Sequence, residues 1–142
     1  MAVKRKRIKL GDVYAIPLPD GQFAFGRRFK DAGIAIYHHR GKSMEDLPSG
    51  ENYQFFVGVY DDVLKSGQWP VVDHRHFTHE EEAWPPPKCI MDNLNGECSI
   101  YYKGEIRAST QTECEGLEIA AVWDVEHIVD RIMGDDKWQK TL

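Results

Sequence analysis

The sequence lacks long apolar runs. No stretch approaches the ~20 consecutive apolar residues that a membrane-spanning helix needs, and residues 1–10 are basic with no apolar segment behind them. We therefore expect neither membrane insertion nor export by a cleaved signal peptide. Hydrophobic residues make up 42% of the 142 positions and charged residues 29%, which is typical of a folded globular chain.

Cysteine is scarce. The chain has three cysteines, Cys89, Cys98 and Cys114, and no Cys-x-x-Cys pair. This odd number without paired spacing predicts reduced thiols in a cytoplasmic protein. A domain of this length buries roughly 68–70% of the surface of its unfolded chain, so it needs neither a disulfide nor a metal for stability. No flanking pattern places a thiol beside a fixed base, and we expect buried, unreactive cysteines.

Motifs for phosphate binding and catalysis are also missing. There is no P-loop and no Gly-x-Gly-x-x-Gly after a predicted strand. The richest segment is residues 73–82, where His74 and His76 share one face of a predicted strand and His79 follows in a turn. A small metal-dependent enzyme built on these histidines is one alternative hypothesis, although the spacing does not complete a site. The sequence otherwise predicts no enzyme activity, no cofactor, no bound metal and no small-molecule substrate.

Charge is unevenly distributed along the chain. The formal net charge is −5, yet five of the 18 lysines and arginines fall in residues 1–9, which leaves 13 basic residues against 23 acidic ones. Residues 113–136 contain eight acidic residues and one basic residue. An acidic body favours a basic protein partner and repels nucleic acid. The basic N-terminal arm supports a second alternative, a small β-barrel regulator that binds nucleic acid through the arm.

The apolar pattern predicts an α+β fold that is mostly antiparallel β-sheet, a meander or a partly closed barrel. Alternating residues around two turns predict a three-stranded meander over residues 11–38, and residues 53–60 are typical of a central strand. Asn95-Gly96 predicts a second hairpin. Asp124 is placed to cap one well-marked C-terminal helix that packs on the sheet. We expect a flexible arm at residues 1–9 and a single domain over residues 10–142.

An acidic segment beside a tryptophan is the predicted interaction surface. Glu80, Glu81 and Glu82 precede Trp84, and three prolines at residues 85–87 follow it. The prolines form a stiff, extended backbone. Tryptophan on a rigid backbone is a common anchor in protein interfaces. We therefore assign Glu80, Glu81, Glu82 and Trp84 to partner binding, with packing of the Trp84 ring against the prolines as the structural alternative.

Two blocks of the chain resemble a known family. The first is residues 9–18 (KLGDVYAIPL) with Asp20-Gly21 and residues 25–27 (FGR), and the second lies within residues 116–132, where GLE, AAVWD and HIVDRI occur in order. Together they resemble the two ends of the immunity protein 26 family, which belongs to bacterial polymorphic-toxin and contact-dependent competition systems. The resemblance implies a cytoplasmic antidote that binds a cognate toxin domain and blocks it without catalysis. The acidic body of the chain fits a basic target such as a nuclease toxin. The resemblance assigns no site residue.

Overall fold

The computed structural model describes residues 7–135 and residue 137. Three α-helices lie within these residues: α1 (Asp61–Lys65), α2 (Gln111–Cys114) and α3 (Val125–Ile132), and a 3₁₀ helix spans Glu80–Ala83. The strands are β1 (Asp12–Pro17), β2 (Phe23–Arg28), β3 (Gly33–Tyr37), β4 (Tyr53–Val59), β5 (Val71–His74), β6 (Lys88–Met91), β7 (Cys98–Tyr102), β8 (Glu105–Ser109) and β9 (Val122–Trp123).

The larger sheet has six strands in the order β5-β1-β2-β3-β4-β9. All neighbouring pairs are antiparallel except β4 and β9, which are parallel. The predicted meander is confirmed as β1, β2 and β3. The sheet is open, because its edge strands β5 and β9 are not neighbours in the described part of the chain, so the barrel alternative is wrong. The α+β class with mostly antiparallel strands is confirmed.

The main core lies between the larger sheet and helix α3. Ile34, Ile36 and Val57 are fully or almost fully buried on one face of the sheet, as expected from alternation along central strands. Ile128 and Ile132 of α3 are buried in the same cluster, with Val125 and Val129 packed against it. The predicted docking of this helical face is therefore confirmed. Asp124 does precede the helix, but its side chain makes no capping hydrogen bond.

The smaller sheet has three antiparallel strands in the order β6-β7-β8. Residues 118–123 join the smaller sheet to the larger one. The Glu118 carbonyl accepts from the Cys89 amide at 2.7 Å, and the Cys89 carbonyl accepts from the Ala120 amide at 2.8 Å. Two residues later, β9 pairs with β4. One stretch of backbone therefore hydrogen-bonds to β6 of the smaller sheet and to β4 of the larger one.

The cysteine prediction is wrong for two of the three residues. Cys89 of β6 and Cys114 of α2 form a disulfide, with their Cα atoms 5.5 Å apart, while Cys98 is a free, buried thiol. Sequence spacing gave no hint of this pairing because 25 residues separate the two cysteines. Helix α2 was not predicted either. It begins with a capping box, in which Thr110 and Glu113 bond each other's backbone amides.

No helix among the described residues is long and apolar enough to cross a lipid bilayer.

Candidate functional site

The tight turn between β2 and β3 supports the predicted interaction segment. Asp31 and Ala32 both have positive φ angles, 64° and 58°, as a type I′ turn requires. The Lys30 amide of this turn donates to the Ala83 carbonyl at 2.9 Å, which fixes the end of the 3₁₀ helix. A Cβ on Gly33 would lie 2.8 Å from Pro85, so only glycine permits this close approach. The 3₁₀ helix is thus held firmly on the hairpin.

The three predicted glutamates differ in their partners. Glu80 forms an ion pair with Lys30, with 2.5 Å between Oε1 and Nζ, and Lys30 lowers the pKa of Glu80. Glu81 forms an ion pair with Lys103, which lies in the turn between β7 and β8. Glu82 is exposed, and its carboxylate makes no hydrogen bond or ion pair with any other described residue. The negative charge available to a partner is therefore concentrated at Glu82.

Trp84 is half-buried and faces a cleft. The Lys30 ammonium lies 4.7 Å from the centroid of its ring, a favourable cation–π distance. Trp84 and Glu82 both line an open cleft of about 440 Å³. The full lining is Arg27, Phe29, Glu51, Tyr53, Phe56, Phe77, Glu82, Trp84 and Pro86. The structure thus brings two of the four predicted residues, Glu82 and Trp84, to one concave surface, while Glu80 and Glu81 are absent from its lining.

Aromatic rings form the floor of this cleft. The Phe29 ring is buried, and the rings of Phe56 and Phe77 meet it edge-to-face at centroid distances of 5.0 and 4.8 Å. Tyr53 packs edge-to-face against Phe56 at 5.4 Å. The pairing of β3 with β4 contains a β-bulge, at which Gln54 has no paired residue in β3. Because of this extra residue, the side chains of Tyr53 and Phe56 lie on the same side of the sheet. Such rigid aromatic surfaces are typical of interface hot spots.

The charged groups within the floor neutralise each other. Arg27 is almost fully buried, 3.8 Å from the centroid of Phe77, and its Nη1 lies 3.1 Å from a Glu51 carboxylate oxygen. Glu51 also accepts from Arg75 at 2.7 Å. Arg27 donates to the Tyr53 hydroxyl at 2.9 Å, and burial raises the pKa of Tyr53 despite this bond. Because these groups satisfy each other, Glu82 supplies the uncompensated charge at the rim.

An open aromatic cleft fits a basic side chain when its rim carries a carboxylate, Glu82, that no residue in the described part of the chain neutralises. A lysine or arginine entering it would stack its stem on the rings and place its charge near Glu82. The arrangement keeps its own polar groups bonded to one another, and the Tyr53 hydroxyl donates to a Glu51 carboxylate oxygen at 3.3 Å. The cleft is suited to recognition of another protein's surface.

The comparison with family models gave one match. Immunity protein 26 matches residues 9–99, nearly two thirds of the 142-residue chain. The chain belongs to the immunity protein 26 family. The resemblance seen in the sequence is thereby confirmed, and with it an immunity-protein role. Searches of curated proteins and of solved structures found no match.

The immunity protein 26 match covers the whole cleft. It runs from just before β1 into the first residues of β7, so every residue that lines the cleft lies inside it. The second resembling block, within residues 116–132, lies outside the matched region, and its likeness to the family remains a prediction.

The structure does not bring the three histidines of the enzyme hypothesis together. His74 Nδ1 lies 2.7 Å from a carboxylate oxygen of the buried Asp12, and His76 and His79 are exposed. Among the described residues, the group of His, Cys, Asp or Glu side chains that converges closely enough for a metal is the set of three cysteines. The nucleic-acid hypothesis rests on the basic arm, of which residues 1–6 lie outside the described residues.

The acidic segment at residues 113–136 contains a second, smaller concavity of about 250 Å³, next to β9 and the start of α3. It is lined in part by Glu118, Asp124 and His127. Glu118, however, is committed to Arg131 in a two-pronged ion pair, and Arg131 stacks 4.0 Å from the Phe55 centroid. The Glu118–Arg131 pair therefore holds α3 in place.

Sequence reasoning missed the aromatic floor. Tyr53, Phe56 and Phe77 were interpreted only as strand residues, and Arg27 as part of an alternating pattern. Their convergence depends on the bulge in β4 and on contacts between distant segments, and neither leaves a local signal. An excess of aromatic residues in residues 53–60 was visible, but it is equally typical of a buried central strand.

Proposed function

We propose that this protein is a cytoplasmic immunity protein that binds a cognate toxin domain and neutralises it by occupying the toxin's surface. The family supports the immunity role. The observation that carries the proposed mode of binding is the aromatic cleft, with Trp84 on its wall and, at its rim, Glu82, which has no ion-pair partner among the described residues. Inhibition by binding requires no change in the protein's own covalent structure.

The charge of the protein supports a basic partner. The net charge of −5 gives a long-range attraction to a positively charged toxin domain, which raises the association rate. A nuclease domain is the obvious chemical class, because it must itself present positive charge to nucleic acid. The cleft then receives one basic side chain of that toxin at short range.

The function is tested with the toxin domain encoded beside the gene of this protein. We expect a stable complex on size-exclusion chromatography, full loss of toxin activity at equimolar ratio, and protection of cells that express the toxin. No complex at micromolar concentration, together with no protection of cells, would contradict the proposal.

The binding mode is tested with Trp84→Ala. A hot-spot tryptophan contributes about 2 kcal/mol or more, so we expect Kd to rise by about 30-fold or more. Leu94→Ala is the matched control, because Leu94 is a large apolar side chain that is 98% exposed at the tip of the β6–β7 loop. An unchanged Kd for Trp84→Ala with a large rise for Leu94→Ala would place the anchor on the smaller sheet.

A further inference from the structure

The three cysteines of the chain converge from three different elements. Cys89 belongs to β6, Cys98 to β7 and Cys114 to α2, and their Sγ atoms all lie within 4.8 Å of one another. The cysteines are 0%, 6% and 0% exposed. In the structure two of them form the disulfide and the third remains a thiol beside it. A single disulfide needs only two cysteines, yet all three sulphur atoms lie close together.

The β-sheet register explains the convergence. Cys89 is opposite Ile100 and Met91 is opposite Cys98, so both cysteines project from the same face of the smaller sheet. Helix α2 covers that face and brings Cys114 to it. Because all three backbones are fixed by hydrogen bonds or helix packing, the sulphur positions are determined by the fold.

The spacing matches the requirement of a thiolate metal site. A Zn–S bond of about 2.3 Å places the sulphur atoms of a tetrahedral site about 3.8 Å apart. Sulphur atoms within 4.8 Å reach that spacing by small side-chain rotations once the disulfide is open. Met91 packs against the same cluster and adds a thioether, which is another soft donor, and Ser109 Oγ lies 3.6 Å from Cys114 Sγ.

We propose that Cys89, Cys98 and Cys114 form a binding site for one thiophilic divalent cation of the Zn²⁺ class when the disulfide is reduced. Two equivalents of a cellular thiol are oxidised to their own disulfide and supply two electrons and two protons, which break the Cys89–Cys114 bond. The two thiols that result join the thiol of Cys98. The metal then binds three thiolates, and their three protons pass to solvent. A divalent ion leaves a net charge of −1 in this buried site, less than a monovalent ion would. Hard ions that prefer oxygen donors are excluded.

The proposal reconciles the disulfide with a reducing cytoplasm. Glutathione and thioredoxin keep cytoplasmic thiols reduced, and the smaller sheet would then lose its only covalent link among the described residues. A bound cation replaces that link and joins the same two elements, with β7 as a third. The smaller sheet is thus cross-linked in either redox state.

The test uses Cd²⁺ as a probe, because cadmium thiolates have a strong near-ultraviolet charge-transfer band. Protein reduced with a phosphine is expected to bind one Cd²⁺ per chain with this band and to show a higher Tm afterwards. The disulfide form is expected to bind none. No thiolate band with the reduced protein, or the same band with the disulfide form, would overturn the proposal.

Cys98→Ala separates a three-thiol site from a simple pair. This variant keeps Cys89 and Cys114, so its disulfide form can be checked for native circular dichroism before reduction. We expect its Cd²⁺ affinity after reduction to fall at least about tenfold, since even loss of an outer-shell contact costs that much. Ser99→Ala is the control, because this neighbour projects from the opposite face of β7. An unchanged affinity in Cys98→Ala would show that the third thiol is not a ligand.

Discussion

The two sheets of the molecule are held together in different ways. The larger sheet buries a broad apolar cluster under α3, which includes Trp69, Ile34 and Ile36. The smaller sheet encloses three cysteines and Ile100, and its edge strand β8 is exposed along most of its length. The first sheet is stabilised by apolar burial, whereas the second combines a smaller apolar cluster with a cross-link between sulphur atoms. The two sheets are therefore expected to differ in local stability, so that one can open while the other stays folded.

The largest expected effect on stability comes from truncating a buried isoleucine, and the same truncation can be made in each of the two sheets. Ile36→Ala removes a fully buried side chain at the centre of the larger sheet, so we expect a loss of about 4 kcal/mol in the free energy of unfolding. Ile100→Ala in the smaller sheet should cost only about 2 kcal/mol, because its surroundings collapse more easily. Urea unfolding measures both values. Equal costs would show that the two cores are alike.

Reduction of the disulfide should affect one sheet only. Opening a 25-residue link costs roughly 3 kcal/mol on the chain-entropy model. With a metal chelator present, we expect hydrogen exchange to become faster in β6, β7 and β8 and to remain slow in β1 to β4. Equal loss of protection in both sheets would contradict the proposed independence. Metal-loaded reduced protein provides the positive control.

The pH dependence of stability tests an ion pair at an edge of the larger sheet. The Arg75 hydrogen bond lowers the pKa of Asp73 below its usual 3.8. Asp73 therefore contributes stability that is present above about pH 4 and is lost as pH falls through its lower folded-state pKa. Asp73→Asn should remove this part of the acid sensitivity, as measured by urea midpoints between pH 2 and pH 6. Unaltered acid sensitivity in Asp73→Asn would contradict the assignment.

An ion pair comparable to that of Asp73 with Arg75, but more exposed, lies beside the smaller sheet. Arg107 lowers the pKa of Glu113, whose side chain is exposed. We expect Glu113→Gln to change the acid sensitivity less than Asp73→Asn does, because water screens the pair and Gln preserves the capping box. A larger change in acid sensitivity for Glu113→Gln than for Asp73→Asn would contradict this expectation.

The smallest effect on stability is expected at the cleft rim. Glu82→Lys should leave the free energy of unfolding within about 0.5 kcal/mol, because the Glu82 carboxylate has no ion pair among the described residues. It should nevertheless slow association with a basic toxin domain by about threefold to tenfold at low salt. Stopped-flow mixing measures the rate. Glu126→Lys on the exposed face of α3 is the control, and equal slowing by both would indicate steering by net charge alone.

Much of the fold was predictable because it follows from local patterns. Alternation around turn residues predicted β1, β2 and β3, and spacing of apolar residues predicted the docked face of α3. The sequence pattern predicts strands over residues 69–77 and 117–123, but β5 spans only Val71–His74 and β9 only Val122–Trp123. Hydrogen-bond pairing with distant strands determines the length of both. The disulfide and the three-thiol cluster depend on how β6, β7 and α2 pack, which no spacing rule describes.

The candidate site was predictable only in part. The sequence indicated Glu82 and Trp84 because acidic residues, a tryptophan and three prolines are adjacent. It did not distinguish Glu82 from Glu80 and Glu81, since the lysine partners of Glu80 and Glu81 are 50 and 22 residues away along the chain, respectively. The aromatic floor is assembled from separate strands and was beyond local reasoning.

Hydrogen exchange of the complex with the cognate toxin domain tests the central claim most directly. The account predicts that the toxin slows exchange in residues 77–86 and in the β2–β3 turn, and leaves α3 unchanged. Protection confined to residues 113–136, with none beside the cleft, would contradict it.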